Sequence, residues 1–218
     1  YHIKAGKEIF AAEGAFGQYL ICFRDLPVAI GITAGAREYL AADICLKYMK
    51  EAVSEPCNEE QLEAAEKALC AKLNSLSLVQ PEGTFRTARK EAAKLFDRKI
   101  LFTENPRKVE SVVLTKEGYR IKIEAVINGE QKTLYASYKA WKRNNLYPDD
   151  FTKKYQSVAY AMDAEALYLS VGLINTSYKE EYCLWVNSED KVIATWRPNV
   201  TYLPEEPDMV WKFTGTFE

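Results

Sequence analysis

The chain has 218 residues, 48% of them hydrophobic and 28% charged, with 8 prolines, 10 glycines and a formal net charge of −2. This composition excludes a disordered or fibrous chain, and the length allows one large domain or two small ones without disulfide staples. The longest apolar stretch, residues 19–36, is broken by Arg24, Asp25 and Pro27, which excludes a membrane-spanning helix there.

In chain order, an extended start over residues 2–10 is followed by two compact apolar runs, 19–23 and 28–32, separated by a turn-like Arg24-Asp25-Leu26-Pro27. These read as two buried strands or a strand and a short helix. Apolar residues at near-helical spacing from Tyr39 to Val53 predict a helix over 34–53, with Thr33 as its cap. A second helix starts at Asn58, which can cap a first turn of Glu59, Glu60 and Gln61; Leu62, Leu69 and Leu73 supply its apolar stripe. The two helices are expected to pack antiparallel. A third is predicted over 84–100, with a cationic face.

After Asn105-Pro106 the hydrophobic period changes from helical to two. Alternation through 109–139, punctuated by Gly118 and by Asn128-Gly129, predicts a three-stranded antiparallel meander, because Asn-Gly supplies the positive φ angles of a two-residue hairpin. Residues 139–155 read as a polar, aromatic excursion followed by a short helix from Asp150. Strands are expected again over 167–174, 182–186, 191–196 and 209–217. The fold class that follows is α+β, with N-terminal helices packed on a largely antiparallel, hairpin-rich sheet. Its mainly helical part is 1–108 and its mainly β part 109–218, joined in one continuous fold.

The chemistry of the side chains narrows function mostly by exclusion. His2 is the single histidine and sits near a terminus, so mechanisms and zinc or iron sites that need a positioned imidazole are not expected. Cys22, Cys45, Cys57, Cys70 and Cys183 are odd in number and lack Cys-x-x-Cys spacing, so they read as reduced thiols of a cytoplasmic protein with no metal and no cofactor. Thr33, Gly35 and Arg37 follow an apolar run and precede a helix, an order that can present backbone amides to a phosphate, although a tight turn with a Thr cap is the simpler account of it.

Charge is strongly partitioned. Residues 1–82 hold 8 basic against 12 acidic side chains, 83–155 hold 17 against 9, and 156–218 hold 4 against 10. In the central block Arg86, Arg89, Lys90, Lys94 and Arg98 follow the predicted third helix, while Lys139, Lys142 and Arg143 alternate with aromatic residues including Trp141. Cations attract phosphates and rings stack on bases, so this block suits nucleic acid or an acidic protein surface. The opposite reading is that the basic segment neutralises the acidic blocks inside the fold. The expectation is therefore a non-enzymatic binding or inhibitory protein engaging an anionic macromolecule. The alternatives are a histidine-independent enzyme acting on a nucleotide or phosphoester through carboxylates, and an oligomer-forming structural protein.

Overall fold

Strands dominate this chain from both ends. The computed structural model describes residues 2–5, 8–36, 41–54, 58–84, 90–201 and 209–218. The chain divides into two units, Tyr1–Val79 and Gln80–Glu218. The boundary expected at 108/109 falls inside the second unit.

The first unit opens with an antiparallel four-stranded meander: β1 (His2–Ala5), β2 (Ile9–Gly14), β3 (Gln18–Phe23) and β4 (Ala29–Ile32). Both apolar runs read from the sequence are strands. Ala11, Tyr19 and Ile21 are buried, with Ile9, Phe23, Ile30, Ile32 and Cys45 packed on them. Helices α1 (Ala41–Ser54) and α2 (Glu59–Ser75) follow. Asn58 caps α2 through a capping box: its side chain accepts from the Gln61 N–H at 2.9 Å, and its own N–H donates to Gln61 Oε1 at 3.0 Å. No residue of α2 is buried, and Leu62, Leu69 and Leu73 are all more than half exposed. The predicted antiparallel packing of two helices therefore builds no core, and the α+β class with helices packed on the sheet is not upheld.

The second unit is a closed β-barrel. Its wall runs β5 (Lys99–Phe102), β6 (Val109–Glu117), β7 (Arg120–Ile127), β8 (Glu130–Tyr138), β10 (Tyr155–Met162), β11 (Ala166–Leu173), β12 (Lys179–Val186), β13 (Val192–Pro198) and β14 (Trp211–Phe217), which returns to β5. All neighbours are antiparallel except β8 and β10, which meet in parallel over two residue pairs, Ser137 with Ala159 and Tyr138 with Tyr160. The first half of β10, residues 155–158, pairs instead with β9 (Lys142–Asn145). The expected meander over 109–139 is present as β6–β8, with Asn128 and Gly129 at φ 51° and 77° in its second turn.

Over its described residues the third predicted helix is not formed. Residues 85–89 lie outside the described residues, Lys90–Leu95 make a short 3-10 turn, and Lys99–Phe102 are β5. Its apolar residues serve different elements: Ala92 and Leu95 are buried against the end of the barrel where β10 turns into β11, and Ile100 points inside from β5. The short helix expected from Asp150 is a turn, held by the Asp150 carboxylate accepting from the N–H groups of Thr152 and Lys153.

Period-two patterning decides which side chains fill the barrel. Ile121, Ile123 and Ala125 point inward from β7; Val158, Tyr160 and Met162 from β10; Leu184 and Val186 from β12; Val192, Ala194 and Trp196 from β13. Lys122 and Glu124 alternate with them on the outer face of β7 and pair at 3.0 Å. An apolar interior with charged outer positions is the reverse of a membrane-embedded barrel, whose wall needs an apolar outer band. Among the described residues no helix is long and apolar enough to cross a membrane.

Candidate ligand cavity inside the barrel

Side chains do not fill the barrel completely. A cavity of about 120 Å³ remains in the half away from the Leu95 plug. Phe102, Val112, Leu114, Ile123, Ala125, Leu134, Val158, Leu169, Leu184 and Phe213 form its apolar walls, and Leu146 and Tyr147, just beyond β9, complete it. Phe102 and Phe213 meet edge to face at 5.3 Å, which fixes both rings at the wall.

One side is polar. Glu180 and Tyr182 point inward from the first half of β12, in phase with Leu184 and Val186, and Arg107 reaches them from the loop between β5 and β6. Arg107 Nη2 lies 3.1 Å from Glu180 Oε1, Arg107 Nε donates to the Tyr182 hydroxyl at 3.3 Å, and that hydroxyl donates to Glu180 Oε2 at 2.8 Å. The guanidinium also sits over the Trp196 ring, 5.5 Å from its centroid. Asn105 shapes the Arg107 loop. Its side-chain amide donates to the Thr103 and Val109 carbonyls at 2.9 and 2.8 Å, and its oxygen accepts the Val109 N–H at 3.1 Å.

Burial sets the electrostatics of this cluster. Desolvation works against the Arg107 charge, but Tyr182 and Glu180 outweigh it and raise its pKa, so it stays a cation. Burial, reinforced by Glu180 and opposed by Arg107, raises the Tyr182 phenol well above its ordinary value and keeps it a neutral donor. Gln156 is the fourth polar group. It is 7% exposed and lines the same cavity from β10, its backbone carbonyl accepting from Asn144 Nδ2 at 3.4 Å.

The residues singled out from the sequence lie elsewhere. Arg86, Arg89 and Arg37 fall outside the described residues. Lys94 pairs with Glu91 at 2.6 Å and approaches Asp190 at 4.0 Å; Arg98 lies 3.8 Å from Asp190 and stacks 3.5 Å from the Phe217 centroid. Lys90 is exposed on the 3-10 turn. Lys139, Lys142 and Arg143 belong to the turn before β9 and to β9 itself, with Arg143 3.8 Å from the Tyr155 centroid and Lys139 5.9 Å from that of Tyr138. The Trp141 indole nitrogen is buried. Thr33 is exposed and Gly35 half-buried between β4 and α1.

The basic block is thus largely engaged within its own unit. Asp190, Glu218 and Glu180 of the acidic C-terminal block partner Lys94, Arg98, Lys99 and Arg107, and the Arg143 guanidinium lies over the Tyr155 ring. Sequence reasoning missed Glu180, Tyr182 and Gln156. The available signal was a polar pair at the head of an inward alternation, Glu180-x-Tyr182-x-Leu184-x-Val186.

No protein-family model matches the chain, and no curated protein matches it. Among solved structures, apo lipid binding protein 8 of Caenorhabditis elegans aligns over 60% of this chain and 100% of its own, at 7% identity and a TM-score of 0.45. The fatty-acid-binding protein isolated from Manduca sexta aligns over 50% and 73%, at 11% identity and a TM-score of 0.36. Neither score reaches 0.5, so the reading of the cavity rests on its own residues. The expectation of a nucleic-acid or acidic-protein partner is withdrawn: the cavity inside the barrel is mainly apolar, and of the described cations that prompted that expectation Lys94 and Arg98 face Asp190 while Arg143 and Lys139 lie over the rings of Tyr155 and Tyr138.

Proposed function

We propose that the barrel unit binds a small molecule of lipid character, apolar along most of its length, in its interior. The observation that carries this reading is the mainly apolar cavity in the barrel interior, with Arg107, Glu180 and Tyr182 bonded together at its wall, an arrangement that favours burying a hydrocarbon and orienting one polar end. At about 120 Å³ the space is smaller than a drug-sized pocket of roughly 300–1,000 Å³, which suits a short chain or one segment of a longer one. The free thiols of Cys22, Cys45, Cys70 and Cys183 fit a reducing, cytoplasmic setting for such a carrier.

A neutral, environment-sensitive dye such as N-phenyl-1-naphthylamine tests the reading. Its emission is expected to rise with the intact protein, to be competed away by short aliphatic alcohols, and to be lost in Ala125→Phe, which fills the cavity from β7. Equal dye binding by a folded Ala125→Phe protein would place the binding elsewhere and overturn the reading.

A further inference from the structure

The polar side of the cavity specifies the kind of head group as well as its position. Among the described residues Arg107 is the one cation that lines the cavity, and its charge is already matched by Glu180 at 3.1 Å, with the Tyr182 hydroxyl bonded to both. Lys132 sits 4.4 Å from the centroid of cavity-lining Tyr147, and it too is paired, with Glu130 at 2.6 Å. A second carboxylate entering here would face Glu180 across a low-dielectric space and would surrender its hydration without gaining an unmatched cation.

Gln156 points the other way. A residue only 7% exposed that lines the cavity, Gln156 brings a primary amide to the cavity wall. Its backbone is fixed, because the Gln156 carbonyl accepts from Asn144 Nδ2 and β10 is paired on both sides. The amide offers both a donor and an acceptor, which a hydroxyl or an amide satisfies together.

We infer that the cavity selects an apolar ligand with an uncharged hydrogen-bonding head, an alcohol or a primary amide, over the carboxylate of the same chain, and that Gln156 binds that head while Glu180 rejects the anion. This inference rests on the reading of the cavity as a lipid-type binding site. Selection by a hydrogen-bonding group at the cavity wall is strong because a ligand that cannot pair with it leaves it unsatisfied, whereas selection among apolar chains by length is weak.

The experiment is competition for the neutral dye by octane, octanol, octanamide and octanoate at a pH where the last is ionised. Octanol and octanamide are expected to bind at least tenfold more tightly than octanoate to the wild-type chain. Gln156→Leu is expected to lose about tenfold for the two neutral ligands with little change for octane. Glu180→Gln, which frees the Arg107 charge, is expected to tighten octanoate about tenfold. Octanoate binding as tightly as octanol to the wild type, or neutral ligands indifferent to a folded Gln156→Leu, would overturn the head-group assignment while leaving the cavity reading intact. If neither the dye nor octane binds, the cavity reading itself falls. Should Glu180→Gln fail to fold, the wild-type order of the three ligands and the Gln156→Leu result still decide.

Discussion

Asn144 is bonded to Tyr135 as if its side chain were a strand. Its Oδ1 accepts the Tyr135 N–H at 2.8 Å and its Nδ2 donates to the Tyr135 carbonyl at 3.0 Å, so one amide side chain supplies both bonds that a neighbouring backbone would give β8. The same Nδ2 contacts the Lys142 and Gln156 carbonyls at 2.9 and 3.4 Å. This happens where β8 and β10 part and the wall has too little backbone to close itself. Asn144 is 9% exposed, so these bonds are shielded from water.

Asn144→Ala is expected to destabilise the chain by about 2–4 kcal/mol, since it strands the Tyr135 backbone groups without replacement bonds. Urea unfolding followed by tryptophan fluorescence measures this. A change below about 1 kcal/mol would mean that water repairs the gap.

Gly215 is expected to tolerate no side chain. A Cβ there would lie 2.9 Å from Ile100 Cγ2 and Phe102 Cδ1 and 3.0 Å from the Leu101 carbonyl oxygen, at the seam between β14 and β5. Gly215→Ala is expected to lose about 1–3 kcal/mol by overpacking. It should also weaken dye binding, because Phe102 lines the cavity. Unchanged stability would show that the seam yields.

Removing Arg107 alone leaves Glu180 as a buried, uncompensated charge, so Arg107→Met is expected to lose about 3–5 kcal/mol. In the double variant Arg107→Met/Glu180→Met most of that loss is expected to return. A double variant as unstable as the single one would show that the salt bridge itself contributes the stability.

Cys183 and Cys70 are predicted to react at very different rates. Burial, with the Asp163 charge adding to it, pushes the Cys183 thiol up to about 11, whereas Cys70 is exposed on α2. At pH 8 Cys183 then holds on the order of a hundred-fold less thiolate than a thiol of ordinary pKa. Titration with Ellman's reagent is expected to lose one fast equivalent in Cys70→Ser and none in Cys183→Ser.

Asp163 gives stability a defined acid limb. Burial disfavours its charge, but the Tyr168 hydroxyl at 2.6 Å and the N–H groups of Glu165 and Ala166 more than compensate, so its folded pKa lies below the ordinary 3.8. Stabilisation from a depressed carboxylate is complete above the unfolded value and disappears as pH falls through the folded one. Asp163→Asn is therefore expected to be less stable than wild type at pH 7, with the difference narrowing below pH 4. A difference that stays constant down to pH 2.5 would rule out this origin.

Much of the strand content was legible in the sequence. The change of period at Asn105-Pro106, the Asn128-Gly129 turn and the alternation of β11 to β13 are local signals that tertiary structure did not override. The barrel was not legible, because closure joins distant elements. β10 hid in Tyr155–Met162, where small Ser157, Ala159 and Ala161 alternate with larger residues and both faces are buried, which blurs the period of two. The stretch around Lys90–Leu95 read as a helix because alanines and cations favour one. Contacts with β11 and β12, and the pairing of β5 with β6 and β14, claim those residues instead. The cavity residues Gln156, Glu180 and Arg107 sit on three elements that no linear spacing connects.

The β14–β5 seam also governs how the barrel is assembled in time. Thr103 and Thr214, 111 positions apart, exchange bonds beside it: the Thr103 N–H donates to the Thr214 carbonyl at 2.8 Å. Hairpins such as β6–β7 and β7–β8 need only two-residue turns and can form within microseconds, but this last junction must bring together segments separated by nearly the whole unit. The β6–β8 meander is therefore expected to form early and registration of β14 late, on the millisecond-to-second scale typical of non-local β topologies. Until it occurs β5 and β14 remain unpaired edges with an apolar face exposed between them, which makes the nascent barrel most prone to aggregation just before it closes.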